Sequence, residues 1–161
     1  MIRTARSYNA GATIPAALLI ALALGFASAP AAAGPIGLQA AGGWYTDSND
    51  FFLGAGARVG AGTITVIPNA EWLFVDSAKS YSLNIDATMS VLPLGVASVY
   101  AGAGIGWLTV DPDNGKSNTD SVVNLLAGAG LNALPLKPFA QFKYVVASGN
   151  DPFQFAVGVR F

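Results

Sequence analysis

The chain has 161 residues, 53% hydrophobic and only 11% charged, with no cysteine and no histidine. These absences exclude a disulfide framework, a thiol nucleophile, a Cys or His metal centre and imidazole as a general base. The net charge of −1 offers no basic footprint for nucleic acid.

Residues 1–33 have the three parts of a secretory signal peptide. Arg3 and Arg6 precede an apolar run, Ile14 to Phe26, and small residues follow in ASAPAAAG. The run is shorter than the ~20 residues a membrane-spanning helix needs. Cleavage is expected after Ala33 or Ala29. Residues 34–161 then form one domain, with nine acids against six bases.

That domain divides into eight runs of about ten residues with a period of two, the signature of half-buried strands. The first, 36–46, sets Ile36, Leu38 and Trp44 on one face. The second, 51–60, opposes Phe51, Leu53, Ala55, Ala57 and Val59 to Gly54, Gly56 and Arg58. The third, 63–75, opposes Ile64, Val66, Trp72 and Phe74 to Thr65, Asn69 and Glu71. Pro68 interrupts it, since proline removes a ladder donor. The first short turn therefore falls either at GAG, 60–62, or at IPN, 67–69, and the switch of apolar phase between Val59 and Ile64 favours GAG.

The fourth run, 81–91, alternates most cleanly: Tyr81, Leu83, Ile85, Ala87, Met89 and Val91 against Ser82, Asn84, Asp86, Thr88 and Ser90. The fifth, 96–108, opposes Val99, Ile105 and Trp107 to Ser98, Tyr100 and three glycines. The sixth, 121–133, opposes Val123, Leu125 and Leu131 to Asn124 and Asn132. The seventh, 137–147, opposes Phe142, Tyr144 and Val146 to Gln141 and Lys143. The eighth is FQFAVGVRF, 153–161.

The connections alternate too. DSND, DSAKS, DPDNGKSNTD and SGND are polar; GAG and two LPL triplets, 92–94 and 134–136, are short and uncharged. Polar loops at one end and tight turns at the other are the layout of a transmembrane barrel. Trp44, Phe51, Trp72, Phe74, Tyr81, Trp107 and Phe153 all lie beside a polar loop on the apolar face, as an aromatic girdle at a membrane interface would. Arg58, Glu71, Asp86, Lys143 and Arg160 fall on the small or polar face, so a closed barrel turns them inward. Charges in that confined space require partners, and a lumen-filling ion-pair network is expected. The alternative role for them is a gate on a narrow solute path.

Two chemical readings fail. The glycine runs LGAGARVGAG, YAGAGIGW and LLAGAGLNA lie within strands, not between a strand and a helix as a dinucleotide site demands. In DPDNGKSNTD, counted from Asp111, glycine stands fifth and Val122 twelfth, whereas a calcium loop requires Gly sixth and Glu twelfth. No metal, cofactor or catalytic residue is assigned.

The terminal segment resembles the assembly signal of outer-membrane barrel proteins. Gln154, Val159 and Phe161 match it, with Ala156 where the pattern has glycine. With the leader and the eight strands, the chain resembles the small eight-stranded outer-membrane β-barrels, the opacity-protein and outer-membrane-protein-A-like group. The resemblance implies an all-β, eight-stranded antiparallel up-and-down transmembrane barrel in a Gram-negative outer membrane. It implies contacts with outer-membrane lipid, lipopolysaccharide and the barrel-assembly machinery, and a monomer without enzymatic activity. The expected role is structural or at the cell surface, with a largely filled lumen. A narrow porin-like channel is the first alternative. A soluble barrel with its faces reversed around an apolar ligand is the second.

Overall fold

The computed structural model describes residues 36–61, 63–75, 78–113, 115–147 and 152–161. The leader assigned to residues 1–33 lies outside them. Eight strands follow one another: β1 Ile36–Tyr45, β2 Phe51–Ala61, β3 Ile64–Val75, β4 Ala78–Pro93, β5 Ala97–Pro112, β6 Asn118–Leu131, β7 Lys137–Val146 and β8 Phe153–Arg160. Each pairs antiparallel with its neighbour in sequence, and β1 pairs with β8 to close the barrel, from Gln39 opposite Arg160 to Tyr45 opposite Gln154. Closure satisfies every strand edge, which a sheet lying in hydrocarbon must do.

Pro68 lies inside β3, and the short turn falls between Ala61 and Ile64. The β2–β3 register is unchanged on both sides of the proline, from Gly56 opposite Asn69 to Val59 opposite Val66. The two intervening residue pairs are missing from this ladder. On its other side Pro68 still faces Ile85 of β4. The proline thus weakens one ladder without ending the strand.

Several boundaries differ from those expected from the sequence. β4 and β5 reach further toward the polar loops, with Lys79 opposite Asp111 and Ala78 opposite Pro112, and β6 begins at Asn118. Ser80 Oγ donates to Thr109 O at 3.1 Å there. These polar residues read as loop by composition, but backbone pairing continues above the apolar band because water also permits it. The turn after β4 falls two residues later than LPL 92–94. A bulge shifts the register between Ser90 and Leu92, and Gly95 takes a φ of 71°. Leu94 N donates to Ala97 O at 2.9 Å. Glycine supplies the positive φ that such a two-residue hairpin connection needs.

The two faces of the sheet are inverted relative to a protein folded in water. Leu38 (60% exposed), Phe142 (58%) and Ile105 (54%) point outward, while Asn124 (0%), Gln154 (1%) and Lys143 (2%) point inward. A soluble barrel with an apolar interior would need the opposite arrangement. The inner face is not uniformly small or polar, however. Tyr45, Phe52, Leu73, Val122, Val145 and Ala156 form an apolar cluster inside the barrel at its polar-loop end. It arises where apolar residues run consecutively, as in Phe51–Phe52 and Trp72–Val75, so that both faces receive them.

Candidate functional site in the barrel lumen

Below the apolar cluster lies a layer of hydrogen-bonded polar side chains. Glu71 stands on β3, Asn84 and Asp86 on β4, Asn124 on β6, Lys143 on β7 and Gln154 on β8. All six are buried. The β5 glycines shape the layer. Gly104 is opposite Asp86 and Gly106 opposite Asn84. A Cβ at either would overlap the side-chain oxygen of its neighbour. The period-two glycines therefore make room for the polar side chains of β4.

Lys143 is the cation of this layer. Its Nζ lies 2.5 Å from Glu71 Oε1 and 3.8 Å from Asp86 Oδ2. Glu71 Oε2 also accepts from Gln154 Nε2 at 2.8 Å and from Tyr45 OH at 3.2 Å. Asp86 accepts from Asn69 Nδ2 at 2.9 Å and from Asn124 Nδ2 at 3.0 Å. Asn84 links these amides. Its Oδ1 accepts from Asn124 at 2.8 Å, and its Nδ2 donates to Asn69 Oδ1 at 3.2 Å and to Ser82 Oγ at 3.0 Å. These donors to the two carboxylates are what makes their buried charge tolerable, although Asn124 Oδ1 is buried without a hydrogen-bond partner among the described residues.

Arg58 and Arg160 do not join this network. They lie nearer the short-turn end, on either side of β1: Arg58 is opposite Gly37 and Arg160 opposite Gln39. Arg58 Nη1 donates to Gln39 Oε1 at 3.2 Å. The Arg160 guanidinium packs 4.7 Å from the centroid of Tyr100 and 4.5 Å from that of Phe139. Neither arginine has an ion-pair partner among the described residues. The five inward charges thus form two layers rather than one network. The difference is one of depth, which alternation along a single strand does not encode.

The sequence reading placed Gln154 only in the terminal assembly pattern. The structure points it into the lumen as a donor to Glu71, in phase with Ala156 and Arg160 on β8. Tyr45 was likewise missed as a Glu71 partner. Both lie on the inward parity of the runs 36–46 and 153–161, so following the alternation within those runs finds both. Val159 is partly buried on the opposite, outward phase, and Phe161 is 61% exposed.

The seven girdle aromatics all take the outward phase. Trp44, Phe51, Trp72, Phe74 and Phe153 are exposed, and Tyr81 and Trp107 are half-buried. Several associate around the barrel: Phe51 with Phe74 at 5.7 Å, Trp72 with Tyr81 at 6.2 Å and Trp44 with Phe155 at 5.4 Å between centroids. Phe142, Tyr144 and Phe155 extend the band across β7 and β8.

A cavity of about 30 Å3 lies beside Lys143, bordered by Glu71, Asp86, Phe52, Phe139 and Gln141. A water molecule requires about 10–15 Å3 by this measure, so the space suits water and not an apolar ligand. Among the described residues no group of acids is placed to hold a metal ion.

No family model matches the chain, and no curated protein matches it. Solved structures do share its architecture. The N-terminal β-barrel domain of Pseudomonas aeruginosa OprF superposes with a TM-score of 0.65 at 14% identity, covering 78% of this chain and 96% of that one. Neisserial surface protein A gives a TM-score of 0.61 at 16% identity, covering 80% and 97%. A de novo designed transmembrane β-barrel gives 0.56 at 18% identity, covering 80% and 94%. The fold is that of the small eight-stranded outer-membrane β-barrels. At these identities the likeness is one of architecture.

Proposed function

We propose that the protein is an integral outer-membrane barrel, non-enzymatic, with a structural or cell-surface interaction role and a lumen closed by its own side chains. The observation that carries this reading is the inverted polarity of the two faces, with Lys143 2% exposed inside and Phe142 58% exposed outside. Apolar surface of that extent is stable in lipid and costly in water. The surrounding partners are outer-membrane lipid and lipopolysaccharide, reached after export by the leader and insertion by the barrel-assembly machinery. The barrel acts as a monomer of the opacity-like type. The test combines membrane fractionation with planar-bilayer recording of the refolded chain. Recovery in the outer membrane with no steady conductance is expected. Recovery in the soluble fraction overturns the membrane role, and a steady open-channel current overturns the closed lumen.

A narrow porin-like path is the second reading. It is favoured by the position of Lys143 between two carboxylates, 2.5 Å from one and 3.8 Å from the other. Exchange of Lys143 from Glu71 to Asp86 would loosen the polar layer and admit ions transiently. Brief current steps, abolished in Lys143→Met, would support it.

A further inference from the structure

The short-turn end of the lumen contains cations that form no ion pair among the described residues. Arg58 and Arg160 flank β1 one pleat apart, and Lys137 lies directly opposite Arg160 on β7. The described acids lie elsewhere. Asp47, Asp50, Asp111, Asp113 and Asp120 are at the polar-loop end, and Glu71 and Asp86 are committed to Lys143 and the amides of the middle layer. Two arginines facing one confined space without an acidic side chain are costly unless an anion joins them.

The hydrogen-bonding groups left over there are donors. Arg160 is 7% exposed, yet its Nε has no hydrogen-bond partner. Gln39 uses its carbonyl oxygen to accept from Arg58, and Gln141 uses its own to accept from Tyr100 OH at 3.2 Å. Each amide therefore keeps its NH2 group. The pocket for the guanidinium is built into the strands: a Cβ at Gly130 would stand 2.8 Å from Arg160 Nη1. Tyr100 and Phe139 hold the guanidinium plane between them. Arg58 is only partly buried, so the site opens toward the short turns.

We propose that this end of the lumen is a binding site for a small oxyanion, a phosphate group, held by the guanidinium groups of Arg58 and Arg160 and the amide of Gln39. The planar fork of arginine matches the oxygen edge of phosphate, which a spherical halide does not offer. Phosphate can arrive free in solution or on a lipid headgroup, and the chemistry of the site is the same for both. The middle layer blocks onward passage, since Glu71 and Asp86 repel an anion. The site is therefore a terminus and not part of a path.

The test uses the whole refolded barrel in an uncharged sugar-based detergent, with the Nε–H signals of its arginines followed by NMR. Inorganic phosphate is added against sodium chloride of equal ionic strength. Saturable shifts of the Arg58 and Arg160 signals with phosphate, and not with chloride, are expected. The Asn124 amide signals should stay in place. Arg58→Gln leaves the closing strand intact and should weaken the phosphate response by about tenfold, the loss of one charge-assisted contact. The same shifts in phosphatidylglycerol nanodiscs without added phosphate would support the site and assign it a headgroup ligand. Equal shifts with phosphate and chloride would reduce the effect to screening and overturn the site, as would the absence of any shift in both detergent and nanodiscs.

Discussion

Lys143 of β7 and Glu71 of β3 meet across the lumen, Nζ to Oε1, at 2.5 Å, although they lie 72 residues apart in sequence. The two strands do not pair with each other; the contact spans the interior. Removing the cation leaves Glu71 and Asp86 buried without their charge partner. Lys143→Met should therefore cost about 3–5 kcal/mol in urea unfolding. Adding Glu71→Gln should recover part of that loss. The double-mutant cycle should show a coupling of about 1 kcal/mol or more. Strict additivity would mean that the pair contributes nothing specific.

The orientation of the faces can be tested on β4. Ile85 points outward and Asp86 inward, opposite Pro68 and Ile67 on β3 and Ile105 and Gly104 on β5. Ile85→Arg should destabilise the barrel by about 2–4 kcal/mol if the residue lies near the bilayer midplane. A spin-labelled or fluorescent Cys at 85 should respond to lipid-phase quenchers, and one at position 84 should not. The reverse result would turn the barrel inside out.

Gly104 and Ala103 are neighbours on opposite faces of β5. A Cβ at Gly104 would overlap Asp86 Oδ1 and stand 2.7 Å from Ile85 O, so one contact is with backbone that cannot rotate away. Gly104→Ala should cost about 1–3 kcal/mol by overpacking. Ala103 is exposed on the outer face, and Ala103→Val should change stability by no more than about 0.5 kcal/mol. Equal effects, read by urea unfolding in vesicles, would remove the argument that the glycines make room for the polar layer.

Assembly and stability should separate at the end of the chain. Phe161 is exposed, whereas Gln154 donates to the buried Glu71 carboxylate. Phe161→Ser should lower outer-membrane yield on heat-modifiability gels while leaving the unfolding of the refolded protein nearly unchanged. Gln154→Ala should do the opposite, with a stability loss of about 1.5–3 kcal/mol for a hydrogen bond to a charged group. Parallel losses in both assays for both variants would deny a distinct recognition role for Phe161.

Much of this protein is legible one strand at a time. A side chain's face depends only on its parity along the strand, so Leu83 and Ile85 are assigned outward and Asn84 and Asp86 inward from YSLNIDATMSV alone. The same holds for the girdle from Trp44 to Phe153, and for the two kinds of connection that define the ends. Composition misled where water and pairing coexist: the polar residues 78–80 and 109–112 belong to strands because a ladder does not require an apolar face.

Depth was decided only by the tertiary structure. Whether Arg58 meets Glu71 depends on the stagger of strands around a closed sheet, a sum of eight registers that no single segment contains. Closure of β8 on β1 brings Gln154 beside Tyr45 and both to Glu71. It also carries Arg160 to the layer of Gln39, Tyr100 and Phe139, away from every described acidic side chain. Parity is a local property of the backbone, whereas the partners of a buried charge are set by long-range register. The inward charges could therefore be named from sequence, but their division into an ion-paired middle layer and an end without acidic side chains could not.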